Sequence, residues 1–131
     1  MKKILALITL LILYSCTSYE DLRSDNRYKI TTIRTGNTLD TVVKIMGVES
    51  SSFNIQGRLG ETIRNPYKSE NINYKGNNYL IYYYYTERKG DNSWETAVTP
   101  IIFLNDVVTG IGWRSMEQIG LESPSKTIKV R

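Results

Sequence analysis

Histidine is absent from this 131-residue chain, and cysteine occurs once, at Cys16. Those two counts remove most side-chain chemistry. Without imidazole there is no Ser-His-Asp or Cys-His relay, and the commonest general base and metal ligand is missing. Zinc sites of the usual cysteine and histidine kind are excluded with it. The thirteen carboxylates are scattered. Glu87, Asp91 and Glu95 surround one loop in ERKGDNSWE, and oxygen-rich loops can hold calcium. The alternating spacing of an EF-hand is lacking there, so the segment reads as a solvated hairpin tip. Ser123-Pro-Ser-Lys126 and Ser24-Asp25-Asn26 match two elements of the serine acyl-transferase site. They occur in reversed order, and the third element is missing because Ile128 follows Lys126-Thr127. Both are chance matches. The expectation is a protein that is not an enzyme, with no catalytic residue, no metal and no cofactor.

The lone cysteine has a different use. Lys2 and Lys3 form a positive head, Ile4 to Leu13 is apolar apart from Thr9, and the small Ser15 precedes Cys16. That is the layout of a secretory signal. The apolar run is too short to span a bilayer, which takes about 20 residues. Leu13-Tyr-Ser-Cys16 resembles the lipobox of bacterial lipoproteins, in which the signal is cut before the cysteine and the new N-terminus carries acyl chains. The division expected is a signal peptide over 1–15, a lipidated tether over 16–20, a domain over 21–114 and a C-terminal tail over 115–131. The formal charge of +4 drops by two when Lys2 and Lys3 leave with the signal, so the working protein is only mildly basic. A secreted chain without a basic stripe is a poor nucleic-acid binder. With its single thiol acylated, the chain forms no internal disulfide.

The elements follow from periodicity. Leu22, Asn26, Ile30 and Ile33 fall at helical spacing and predict a helix near 21–34, although Thr31 and Thr32 are weak helix formers. Leu39, Val42, Val43 and Met46 make one apolar face of a second helix. Thr38 caps it, Asp40 suits its N-terminal end, and Gly47 stops it. Gly36 permits the tight turn between the two helices. Residues 48–65 are rich in Ser, Gly and Asn and read as loop. From Pro66 the period becomes two. A strand precedes a turn at Lys75-Gly-Asn-Asn78, a longer strand runs over 79–88, and two more strands flank an Asn105-Asp106 turn. Pro100 lacks a donor and belongs at a strand start or an edge. Two helices followed by strands predict an α+β domain, with both helices on one face of a three- or four-stranded antiparallel sheet. The tail ESPSKTIKVR shows no strong pattern and reads either as a short edge strand or as no element.

Tyr79-Leu-Ile-Tyr-Tyr-Tyr-Tyr85 is the unusual stretch. Leu80, Tyr82 and Tyr84 share one side of a strand, and Tyr79, Ile81, Tyr83 and Tyr85 share the other. If helices cover only one face, some of these rings lie outside. Tyr82, Tyr83, Tyr84 and Tyr85 are therefore the candidate partner surface, because exposed aromatic side chains make good anchors.

The motifs together resemble the BamE/SmpA-like family of small bacterial outer-membrane lipoproteins, and most nearly an uncharacterised branch of it. The resemblance rests on the lipobox, Gly36 to Gly47, Asn65-Pro-Tyr67, Tyr82 to Thr86, Thr99-Pro-Ile-Ile-Phe103 and Gly110-Ile-Gly-Trp113, in that order over roughly residues 20–114. It implies two helices on a three- or four-stranded antiparallel sheet, a lipid anchor at Cys16, and a periplasm-facing position at the outer membrane. Thr17, rather than Asp, follows the cysteine and resembles an outer-membrane address. The partners implied are the membrane, through the anchor, and an envelope protein complex. The alternatives are a lipid-headgroup or small-molecule binder, with Lys126, Lys129 and Arg131 attracting anionic lipid, or an inhibitor-like binding module.

Overall fold

A computed structural model describes residues 19–48, 50–55, 58–86 and 97–122. The expected signal peptide, Cys16, the carboxylates of the loop 87–95 and the basic tail residues lie outside the described residues. Helices α1 (Tyr19–Ile30) and α2 (Leu39–Met46) come first. They are followed by β1 (Ser50–Ile55), β2 (Arg58–Arg64), β3 (Lys68–Tyr74), β4 (Asn77–Tyr85), β5 (Val98–Leu104), β6 (Val107–Ile111) and a short helix, α3 (Trp113–Ile119). The main sheet is antiparallel with order β3-β4-β5-β6, and β1 and β2 pair separately. The fold is α+β, as the periodicity predicts.

α1 stops at Ile30 rather than 34, for a local reason. The Thr31 and Thr32 hydroxyls donate to the carbonyls of Tyr28 and Lys29, and the backbone tightens to i→i−3 bonds over 31–33. Threonine side chains compete with the helical ladder in this way. The predicted buried stripe survives. Leu22, Asn26 and Ile33 are buried and Ile30 is half-buried. In α2, the Thr41 N–H donates to the Thr38 hydroxyl at 3.2 Å, and Gly47 closes the helix with φ +73°. Val42 and Met46 are fully buried on its inner face.

Two hairpin turns of the main sheet have a left-handed backbone. Lys75-Gly76 joins β3 to β4 and Asn105-Asp106 joins β5 to β6, all four with positive φ. The first turn is two residues long, so Asn77 and Asn78 already belong to β4. Pro100 lies inside the central strand β5, opposite Tyr83. Its carbonyl accepts from Gly112, one residue past the end of β6. Its nitrogen faces that same side, where the ladder has ended, so the missing donor leaves no bond unmade.

Two expectations are corrected. Residues 48–65 are not a loop throughout. β1 pairs with β2 from Ser50↔Arg64 to Ile55↔Arg58, with a register shift between Ser52 and Asn54. Backbone pairing satisfies the donors and acceptors of a segment whose composition reads as loop. The tail expected from residue 115 begins instead as α3, which crosses the 114/115 boundary. Gly120, at φ +93°, caps it by donating to the carbonyls of Met116 and Glu117, and Leu121 donates back to Met116.

α3 also changes the layering. α2 covers one face of the sheet, packing Val42 and Met46, with Ile33, against Tyr84, Ile101, Phe103 and Val108. α3 lies on the other face, where Met116 and Leu121 join Tyr79, Ile81, Tyr83, Tyr85, Val98 and Ile102. Leu22 of α1 belongs to this second cluster. The close approach of α3 requires Gly110. A Cβ there would lie 2.7 Å from the Ser115 Cβ.

Candidate functional site

The predicted surface at Tyr82 to Tyr85 is not a surface. Tyr83 and Tyr84 are fully buried and Tyr85 is 8 % exposed, leaving Tyr82 as the half-buried exception. The alternation itself holds, but each set meets a helix. The Tyr83 ring lies 5.7 Å, centroid to centroid, from Trp113 of α3, and its hydroxyl donates to Glu70 at 2.8 Å. Tyr85 meets Tyr67 edge-on at 5.5 Å. On the other side, Tyr84 sits beneath α2, and its hydroxyl has no hydrogen-bond partner among the described residues. Burial raises the pKa of this hydroxyl well above the ordinary tyrosine value, and the neighbouring Tyr82 adds to the rise.

What remains uncovered on the α2 side is the β3–β4 margin. Cross-strand partners share a face. Ser69 pairs with Tyr82, Asn71 with Leu80, and Asn73 with Asn78, so these six side chains form one patch. Ser69, Asn71, Asn73 and Asn78 are exposed, and Leu80 and Tyr82 are half-buried. Tyr82 is held edge-on by Phe103 at 5.4 Å and by Tyr84 at 6.4 Å. Asn73 donates to the side chain of Asn78 at 3.0 Å. The patch therefore has a fixed aromatic and aliphatic floor, with uncharged amides and a hydroxyl beside it. Such a surface can recognise a polypeptide by hydrogen bonds and apolar contact. It carries no carboxylate, amine or imidazole. Sequence reasoning singled out Tyr82 but missed Ser69, Asn71, Asn73 and Asn78. The signal was the polar alternation of KSENINY against the apolar face of the strand beside it.

Three other polar residues, Asn26, Asn65 and Glu70, are committed to structure. Asn26, of the Ser-Asp-Asn match, is fully buried and donates to the Asn65 side chain and the Tyr85 carbonyl, each at 2.9 Å. Asn65 returns a bond to Asn26 at 2.7 Å and donates to the Met46 carbonyl at 2.9 Å. Glu70 accepts from Tyr83 and pairs with Lys68 at 3.6 Å. Among the described residues, no group of three His, Cys, Asp or Glu side chains could hold a metal ion. No described helix is long and apolar enough to cross a membrane. Comparison with known protein families, with curated proteins and with solved structures gives no match.

Proposed function

We propose that this chain is a non-enzymatic, lipid-anchored protein of the bacterial cell envelope that binds or stabilises a protein complex at the outer membrane. The observation that carries the binding role is the patch of Ser69, Asn71, Asn73, Asn78, Leu80 and Tyr82. It is the part of the α2-side face that the helix leaves uncovered. It offers amide donors and acceptors beside a held aromatic ring and has no charge to satisfy.

Cys16 supplies the anchor in this reading. α1 begins at Tyr19, three positions after Cys16, so the tether holds the domain against the bilayer. Two or three acyl chains anchor stably where one binds only marginally. The resemblance to BamE/SmpA-like lipoproteins supports the same reading, and an envelope assembly is the kind of partner it suggests.

Replacement of the thiol tests the anchor. Cys16→Ser should leave an unprocessed or soluble form, read by membrane fractionation and by the mass of the mature N-terminus. A Cys16→Ser protein that fractionates with membranes as the wild type does would contradict the lipoprotein reading.

A further inference from the structure

The α2-side face of β3 repeats. Ser69, Asn71 and Asn73 occupy every second position and are exposed, so their side chains stand in a row at intervals of about 6.8 Å. Neither the Ser69 hydroxyl nor the Asn71 amide bonds another described residue. Asn73 gives one N–H to Asn78 and keeps its other N–H and its carbonyl oxygen. The row is thus a ladder of open hydrogen-bonding groups with a fixed repeat.

We propose that the partner presents to this row an extended, uncharged segment of polypeptide, which runs along the exposed face of β3 and is bonded through its backbone by Asn71 and Asn73. The inference rests on the binding role proposed above and names the chemistry of what is bound. Its first support is the repeat. In an extended chain the N–H and C=O of one residue point to the same side, and those of the next residue point to the other. One side therefore repeats every two residues, again at about 6.8 Å. A carboxamide carries a donor and an acceptor together. Asn71 can bond the C=O and N–H of one residue, and Asn73 then meets those of the residue two positions away. A helical segment has bonded its interior amides to one another and offers none to the row.

Charge is the second support. The patch residues are neutral, and the charges nearest in sequence are turned away. Lys68 and Glu70 alternate to the α3 side of β3, where Glu70 accepts from Tyr83. Lys75, in the adjoining turn, holds its ammonium 5.2 Å from the centre of the Tyr74 ring, which packs with the α3-side core. A charged side chain laid on the patch would meet no counter-charge there and would lose water without compensation. The third support is the floor beside the row. Leu80 and Tyr82 lie opposite Asn71 and Ser69, half-buried, with the Tyr82 ring held by Phe103 and Tyr84. They offer apolar cover to a side chain of a segment whose backbone the amides hold.

Nuclear magnetic resonance of the complete chain in neutral detergent tests the proposal, with a capped, uncharged octapeptide, Gly-Ser-Val-Thr-Leu-Thr-Gly-Ser, as the probe. The side-chain amide signals of Asn71 and Asn73 should shift and saturate, with a Kd on the order of 1 mM for so small a contact. The same probe with ester links in place of its central amides loses N–H donors and should bind at least about fivefold more weakly. Asn71→Leu should weaken the octapeptide by a similar factor, and Ser24→Ala, at an exposed position of α1 outside the patch, should not. The ester probe decides the matter on the wild-type protein if Asn71→Leu fails to fold. No saturable shift by about 10 mM octapeptide overturns the proposal. So does equal binding of the ester probe. Shifts of the same amides with the neutral tetrasaccharide cellotetraose, and none with the octapeptide, assign the row to a glycan and overturn it as well. A patch that captures envelope proteins but ignores the octapeptide refutes the extended segment alone. A patch that binds the octapeptide but captures no envelope protein refutes the envelope role and leaves the backbone recognition standing.

Discussion

Alanine at Tyr83 or at Tyr84 is expected to lower stability by about 3–5 kcal/mol in urea denaturation, the range for truncating a buried aromatic side chain. The two residues are neighbours on β4 and point to opposite faces, yet both are fully buried. Tyr83 loses its contact with Trp113 and its bond to Glu70, and Tyr84 leaves a void under Val42 and Met46. Tyr82→Ala should cost less, because its ring is half-buried. Phenylalanine separates packing from hydrogen bonding. Tyr84→Phe removes a buried hydroxyl that has no partner among the described residues and should leave stability unchanged or raise it by about 1 kcal/mol. Tyr83→Phe breaks the bond to Glu70 and should cost about 1 kcal/mol. Alternating large and small losses along Tyr82 to Tyr85 would mean that one face of β4 is open, which contradicts the three-layer arrangement.

Asn65→Ala is expected to cost about 3 kcal/mol, although it deletes only a small side chain. Asn65 and Asn26 exchange two hydrogen bonds in the interior, and each donates one more, to Met46 and to Tyr85. The pair joins α1, the end of α2, the approach to β3 and the end of β4. Truncating Asn65 leaves the Asn26 side-chain oxygen and the Met46 carbonyl without these partners. A buried group left unpaired costs about 1–3 kcal/mol. The denaturation midpoint should fall, and amides near the C-terminal end of α2 should exchange faster. A loss under about 1 kcal/mol would show that the site repacks or that water replaces the amide.

Much of the fold was legible because its signals are local. The Thr38 cap, the Gly47 stop, the Leu39–Met46 stripe and the turn at Asn105-Asp106 are each written in a few adjacent residues. α3 was also written, as Trp113, Met116 and Ile119 at three-residue spacing before Gly120, but seven residues are too few for periodicity to stand out. Missing it had a large consequence. With helices on one face only, half of the tyrosines must lie outside, and with α3 in place almost none do. The β1–β2 pairing was illegible for another reason. Ser50-Ser51-Ser52 has no apolar alternation, and its pairing with Thr62, Ile63 and Arg64 is a backbone matter between segments that composition reads as loop. The candidate site was half legible. Tyr82 stood out by type, whereas Ser69, Asn71 and Asn73 became a surface only when the register set them beside Leu80 and Tyr82 and α2 was seen to stop short of them.

Whether this uncovered patch binds an envelope protein complex is decided by one comparison. The full-length protein, expressed with its N-terminal segment, is recovered from solubilised membranes as wild type, as Asn71→Arg and as Lys44→Glu, and the co-purifying proteins are quantified. Asn71 is at the centre of the patch, and Lys44 is an exposed residue of α2 that is not among the six patch residues. One set of envelope proteins is expected with wild type and Lys44→Glu, reduced about tenfold or more with Asn71→Arg, a loss of roughly 1.4 kcal/mol in binding. The same set retained in full by a folded Asn71→Arg protein, or no co-purifying envelope protein with the wild type, would contradict that binding.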